Sequence, residues 1–136
     1  MPLNGFDLHG KKGLLVGANN NVGQAICSAM TEAGADMLRV TATKSSSSSV
    51  TGSESGTSDI EMEVTAMASD DGADRMVQAA LSKLGRVDFL VNNFDLAFGK
   101  PLVDITEAEL DIVLSANLSG VFWTMKHVGR HMIANG

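Results

Sequence analysis

Two glycines separated by five residues, Gly17-Ala18-Asn19-Asn20-Asn21-Val22-Gly23, bound the stretch of this chain best suited to holding an anion. An apolar run, Gly13-Leu14-Leu15-Val16, leads into it. Apolar residues at three- and four-residue spacing begin at Val22 and leave it. Strand, tight loop and helix in that order bring unpaired amides and a partial positive charge to one point, where glycine lets a diphosphate approach the backbone. A glycine pair alone marks many tight turns, with asparagines serving as helix caps. At the head of a βαβ unit it points to a dinucleotide.

The other candidates are weighed against plain structural roles. The second strand ends Thr41-Ala42-Thr43-Lys44, without the acid that binds a ribose hydroxyl. Neutral residues tolerate a 2′-phosphate and Lys44 attracts one, which favours NADP over NAD; an ordinary solvated lysine is the alternative. Asn117 interrupts an apolar stripe between Leu114 and Val121. A polar group on a buried face needs partners, either a relayed water or neighbouring backbone. His127 and His131 have the spacing of a zinc-protease motif, but Val128 stands where the catalytic Glu would be, and no third ligand is placeable. No metal site is expected. Cys27 is the one cysteine, which excludes a disulfide scaffold within the chain and reads as a buried hydrophobe.

These residues need elements to position them. Strands are expected at Gly13–Gly17, Met37–Thr43, Ile60–Val64 and Val87–Val91, although Arg39 is unusual inside a strand buried on both faces. Helices are expected from Val22 to Ala33, stopped by Gly34, and over Ala73–Leu84, stopped by Gly85. Thr106 and Glu109 spell a capping box. Behind it Leu110, Val113, Leu114, Leu118, Val121, Phe122 and Met125 share one face of a helix expected to run to about Ile133. Strands alternating with helices imply right-handed crossovers and a parallel sheet of about four strands, an α/β doubly wound fold. Between Ser45 and Ser58, eight of fourteen residues are serine, and the expectation there is a flexible loop. A sheet ending at its fourth strand leaves an apolar edge open to association.

Composition narrows the classes. The chain has 136 residues, 16 acidic against 10 basic, and a net charge of −6. Without a basic stripe it lacks the means to displace counterions from nucleic acid. No apolar run reaches the roughly 20 residues that span a bilayer, and no signal-peptide pattern opens the chain, so a soluble, cytoplasmic protein is expected.

Read together, Phe6-Asp7-Leu8-His9-Gly10-Lys11, the glycine loop, Leu84-Gly85-Arg86-Val87-Asp88-Phe89-Leu90-Val91-Asn92-Asn93 and Ser115-Ala116-Asn117-Leu118-Ser119-Gly120-Val121-Phe122 resemble the N-terminal half of a short-chain dehydrogenase/reductase, nearest in feel to 3-oxoacyl-[acyl-carrier-protein] reductases. The resemblance implies the N-terminal half of a Rossmann fold over residues 1–136, the C-terminal catalytic half lying beyond. It implies NAD(P) on Gly17, Asn19, Asn20, Asn21, Val22, Gly23, Thr41, Thr43 and Lys44, with Glu63-Val64 beside the adenine and Asn93 after the fourth strand. It matches Asn117 to the asparagine of the family's proton relay. Departures are Val16 for threonine, Asn21 for a glycine, and Phe94-Asp95 for Ala-Gly. Tyrosine is absent from the chain, and so are the family's serine and Tyr-x-x-x-Lys. The resemblance therefore implies hydride transfer to a small carbonyl or alcohol substrate in a full-length form, no turnover by this chain alone, and homo-oligomers through the helix around Asn117. The alternative is a non-catalytic nucleotide-binding or subunit-association module; a decayed sequence without function is a third reading.

Overall fold

A computed structural model describes residues 6–43, 50–52 and 57–136. The elements that build the sheet are β1 (Lys12–Val16), α1 (Asn21–Glu32), β2 (Asp36–Thr43), β3 (Val50–Gly52) and β4 (Thr57–Glu63). They are followed by α2 (Val64–Met67), α3 (Asp70–Leu84) and β5 (Phe89–Asn92), then α4 (Glu107–Leu114) and α5 (Val121–Asn135). The sheet order is β3-β4-β2-β1-β5. Four strands are parallel, as the alternation of elements predicts, and β3 runs antiparallel to β4 at one edge. Among the described residues no helix is long and apolar enough to cross a membrane.

The expected loop over 45–58 is partly strand. Val50–Gly52 pairs with Ser58–Ile60, and β4 begins at Thr57. β-branched Val50 and Thr51 suit an edge strand, a local signal hidden inside a serine-rich composition. Residues 45–49 and 53–56, with Lys44, lie outside the described residues. Val64, expected to end a strand, instead opens α2, whose Met67 is buried. Arg39 is tolerated in β2 because register places it opposite Asp59. Its Nε and Nη2 each donate to that carboxylate at 2.6 Å, a two-point pairing that satisfies a half-buried charge.

The larger core, on the α3 and α5 side of the sheet, joins Leu14, Leu38, Val40 and Ile60 to Met76, Val77 and Val128. The smaller one gathers Leu15, Cys27 and Met37 under α1. Gly34 and Gly85 both take positive φ where the helices stop, the conformation glycine adopts without penalty. Between α3 and α5, His127 Nε2 lies 2.7 Å from Asp70 and Nδ1 3.2 Å from Asp74, while Lys126 Nζ donates to Asp70 at 3.0 Å. The His127 bond first, then Lys126, holds the Asp70 carboxyl below its usual range. His131 meets Asn135 instead, and no group of residues suited to a metal occurs among the described residues.

The capping box is present in full: the Glu109 amide donates to Thr106 Oγ1, and the Thr106 amide donates to the Glu109 carboxylate. Lys100 Nζ lies 2.7 Å from both Glu109 oxygens. That ion pair, then the Thr106 amide and hydroxyl, lower the carboxyl from 4.5 to about 2. A value depressed on folding stabilises the native state at pH above 4.5, and the contribution is lost as pH falls through about 2. Glu109→Gln is therefore expected to melt lower than the parent at pH 6, with the two midpoints converging near pH 2. A gap that persists unchanged to pH 2 would assign the loss to shape and not charge.

The helix expected to run unbroken to Ile133 is interrupted. Ser115–Gly120 widens into a π-helical segment between α4 and α5, a local insertion common where a helix serves a site. The face it buries also differs from expectation. Ala116, Gly120, Thr124 and Val128, four residues apart, turn inward, and Thr124 satisfies its hydroxyl on the Gly120 carbonyl at 2.8 Å. The larger apolar residues face out: Leu118 is 66% and Phe122 60% exposed. Small side chains let the helix approach α2, where a Cβ on Gly120 would already sit 3.2 Å from the Met67 carbonyl. Close backbone approach, and not side-chain hydrophobicity, selects the inner face.

Candidate functional site

β1 ends at Val16, and the chain turns at Gly17 with φ +85°. The amides of Gly17 and Ala18 both donate to the Val40 carbonyl, at 3.0 and 3.1 Å, which holds the loop over the end of β2. Asn19 adds a second tie: its Nδ2 donates to the Ala42 carbonyl at 2.9 Å and its Oδ1 accepts from the Ala42 amide at 2.6 Å. Asn20 caps α1 by accepting from the Gly23 amide at 2.8 Å. Gly23 is buried under the turn, where a Cβ would come within 2.9 Å of Ala18 and of the Gly17 carbonyl.

Asn93 joins the loop to β5. Its amide donates to the Val16 carbonyl at 2.8 Å. Its side-chain nitrogen donates to the Gly17 carbonyl and to Asn20 Oδ1, both at 2.9 Å. The result is a cavity of about 270 Å³ at the carboxyl ends of the parallel strands, lined by Gly17, Asn19, Asn20, Ala42, Val64, Asn93, Phe94, Asp95 and Leu96. Crevices at this end of an open parallel sheet are where such folds take ligands.

Sequence reasoning placed Gly17, Asn19, Asn20, Val64 and Asn93 here, and the fold brings them together. It does not bring all. Asn21 and Val22 sit exposed on the first turn of α1 and do not line the cavity. The turn's positive φ falls on Gly17, and Asn21 takes the first helical position, so its asparagine costs the loop no strain. Thr41 directs its hydroxyl to the Ile60 carbonyl at 3.5 Å, away from the cavity. Thr43 ends β2, and Glu63, which ends β4, is not in the lining. Ala42 and Leu96 were missed; the signal for Ala42 is register, since Val16 pairs with Val40 and the loop after Val16 must overlie Ala42.

Asn117 lies in the π-helical segment and grips the loop after β5. Its Oδ1 accepts from the Leu96 amide at 2.9 Å and its Nδ2 donates to the Leu96 carbonyl at 2.8 Å. Of the two partners weighed for it, backbone is the one observed. Asn117→Ala strips both groups of one half-buried peptide and is expected to cost about 2–3 kcal/mol by chemical denaturation. A cost under about 0.5 kcal/mol would mean that the loop is held by other contacts.

The residues present fit a dinucleotide in part. The cavity admits a nucleoside-sized group, its polar lining is amide-rich, and the start of α1 offers amides without intrahelical partners. The charged side chain in the lining is Asp95, an anion. A diphosphate would therefore lean on backbone amides and the helix dipole, with no cation from the described lining.

The family model described as short chain dehydrogenase matches residues 11–136. The chain is 30% identical, over its whole length, to a 2-dehydro-3-deoxy-D-gluconate 5-dehydrogenase of Dickeya dadantii, of which it covers 53%. It is 35% identical over 95% of its length to a sorbitol dehydrogenase of Cereibacter sphaeroides, covering 50% of that protein. A solved short-chain dehydrogenase/reductase of Serratia marcescens superposes with a TM-score of 0.75 at 25% identity, over 91% of this chain and 52% of the other. A short-chain type dehydrogenase/reductase of Mycobacterium marinum, at 24% identity and a TM-score of 0.77, shares the fold. The chain spans about half the length of these proteins. With the βα glycine loop, the strand-end cavity and the family model running through nearly every residue, the chain belongs to the short-chain dehydrogenase family.

Proposed function

We propose that this chain is the NAD(P)-binding half of a short-chain dehydrogenase/reductase, acting in a full-length form between NADP(H) and a small carbonyl or alcohol substrate. The cavity at the Gly17 loop is the observation that carries this reading. Gly17, Asn19, Asn20 and Gly23 would hold the phosphate side together with the amides of Asn21 and Val22. Val64 would meet the adenine, with Glu63 next to it, and Asn93 the far ribose. When bound, the nicotinamide supplies the hydride chemistry. This chain's part is to seat it, and Asn117's part is to fix the loop that walls the cavity.

The strand end Thr41-Ala42-Thr43-Lys44 supports NADP over NAD, because a 2′-phosphate meets no acid there. Lys44→Ala is expected to lower the preference for NADPH over NADH in paired calorimetric titrations; an unchanged ratio would remove Lys44 from the site. The motifs leave the substrate open, and the relatives' names support a polyol or sugar acid. Without tyrosine, this chain alone binds and does not turn over. The exposed stripe of Leu114, Leu118, Phe122 and Met125 supports self-association through the helix around Asn117. It also supports the second reading, a non-catalytic module whose work is subunit pairing. Carbonyl-dependent NADPH oxidation by the purified chain would overturn the claim of inactivity.

A further inference from the structure

The residues lining the cavity at the Gly17 loop include a single charge, and it is negative. Asp95 stands exposed between half-buried Phe94 and Leu96. Phe94 packs against the larger core, and among the described residues no hydrogen bond or ion pair takes up the Asp95 carboxylate. The loop that carries it is held on both sides. Before Asp95, the Asn93 amide donates to the Val16 carbonyl at 2.8 Å and the Asn93 side chain to the Gly17 carbonyl at 2.9 Å. After it, the Asn117 side chain binds both backbone groups of Leu96, at 2.9 and 2.8 Å. A carboxylate on a free loop spreads its field over many positions, whereas this one is fixed at the β5 end of the crevice. Val64 follows β4 at the other end, with β2 and β1 between them.

We propose that Asp95 makes this cavity select the oxidised dinucleotide over the reduced one. The inference rests on the dinucleotide reading with adenine at Val64, which sends the nicotinamide half toward β5 and Asp95. NADP+ and NADPH carry identical phosphates, so whatever those groups meet cancels when the two affinities are compared. What differs is the nicotinamide ring, cationic when oxidised and neutral when reduced. A fixed carboxylate acts on that difference, and no cation in the described lining offsets it. Because Asp95 is open to solvent, screening holds the discrimination to roughly fivefold at low salt, and it shrinks as ionic strength rises. For a chain that binds without turning over, occupancy then follows the oxidised share of the dinucleotide pool.

Calorimetric titrations of the chain with NADP+ and with NADPH, at low and at high ionic strength, test this. The parent is expected to bind NADP+ roughly fivefold more tightly at low salt, with the gap narrowing at high salt. Asp95→Asn keeps the shape and removes the charge, and at an exposed position it leaves the fold intact, as its melting temperature would show. The affinity ratio is expected to fall to near unity, with NADPH binding unchanged or tighter because the phosphates no longer face an acid. Glu32→Gln makes the same charge change at the far end of α1 and should keep the parent's ratio. A parent ratio near unity, or an Asp95→Asn ratio equal to the parent's, would overturn the proposal and leave the cofactor reading standing. So would a Glu32→Gln protein that loses discrimination equally. A parent that takes up neither dinucleotide would overturn both.

Discussion

Gly72→Ala is expected to destabilise the protein by about 3 kcal/mol or more, combining overpacking with the loss of a helix cap. Gly72 lies in the first turn of α3, where its amide donates to the capping hydroxyl of Ser69 at 3.0 Å. The same hydroxyl donates to the Ala66 carbonyl at 2.9 Å, tying α2 to α3. A Cβ on Gly72 would lie 1.7 Å from that carbonyl oxygen and 2.6 Å from its carbon. Backbone cannot step aside as a side-chain tip can, so either α2 or the cap must give. The expected shift in melting temperature is on the order of 10 °C. Gly129→Ala is the control: it lies within α5 with nothing within 4 Å of its would-be Cβ, and should stabilise by up to about 1 kcal/mol. A Gly72→Ala protein melting with the parent would show that the α2–α3 junction is looser than drawn.

Gly17→Ala is the second large effect, and it joins stability to function. At φ +85° an L-residue is strained, and the added Cβ would stand 2.5 Å from the Asn93 carbonyl oxygen and 2.7 Å from the Phe94 amide nitrogen. The two penalties together come to about 3 kcal/mol. The chain relieves them by lifting the loop off β5, which breaks the Asn93 bonds to Gly17 and Asn20 and opens the cavity wall. NADPH binding should be lost even at temperatures where the variant stays folded. Asn93→Ala separates the effects, since it removes the same bonds without the clash and is expected to lose binding with a smaller loss of stability. A Gly17→Ala protein that binds NADPH like the parent would detach the loop from the site.

Much of this was legible in local sequence. The stops at Gly34 and Gly85, the capping box at Thr106 and Glu109, and the apolar runs of β1, β2 and β5 are short-range signals, and the structure realises them. What escaped depends on contacts distant in sequence. The pairing that makes Arg39 acceptable needs the β2–β4 register. The inner face of the π-helical segment and α5 was misread because Ala116, Gly120 and Thr124 are buried for their size, while a hydrophobicity pattern follows Leu118 and Phe122 to the surface. The π-helical segment has no composition of its own, and it shows once Asn117 is seen gripping Leu96. In the cavity, the glycine loop announced Gly17, Asn19 and Asn20, whereas Ala42 and Leu96 arrive only through strand register and loop closure.

The central claim is that the Gly17 cavity binds a nicotinamide dinucleotide, and an amide-resolved NMR titration of the chain with NADPH tests it most directly. Saturable shifts are expected at Gly17–Gly23, Ala42, Val64 and Asn93–Leu96, with Lys44 responding more to NADPH than to NADH. No saturable change up to millimolar NADPH, or changes gathered on the exposed stripe around Phe122, would contradict the account.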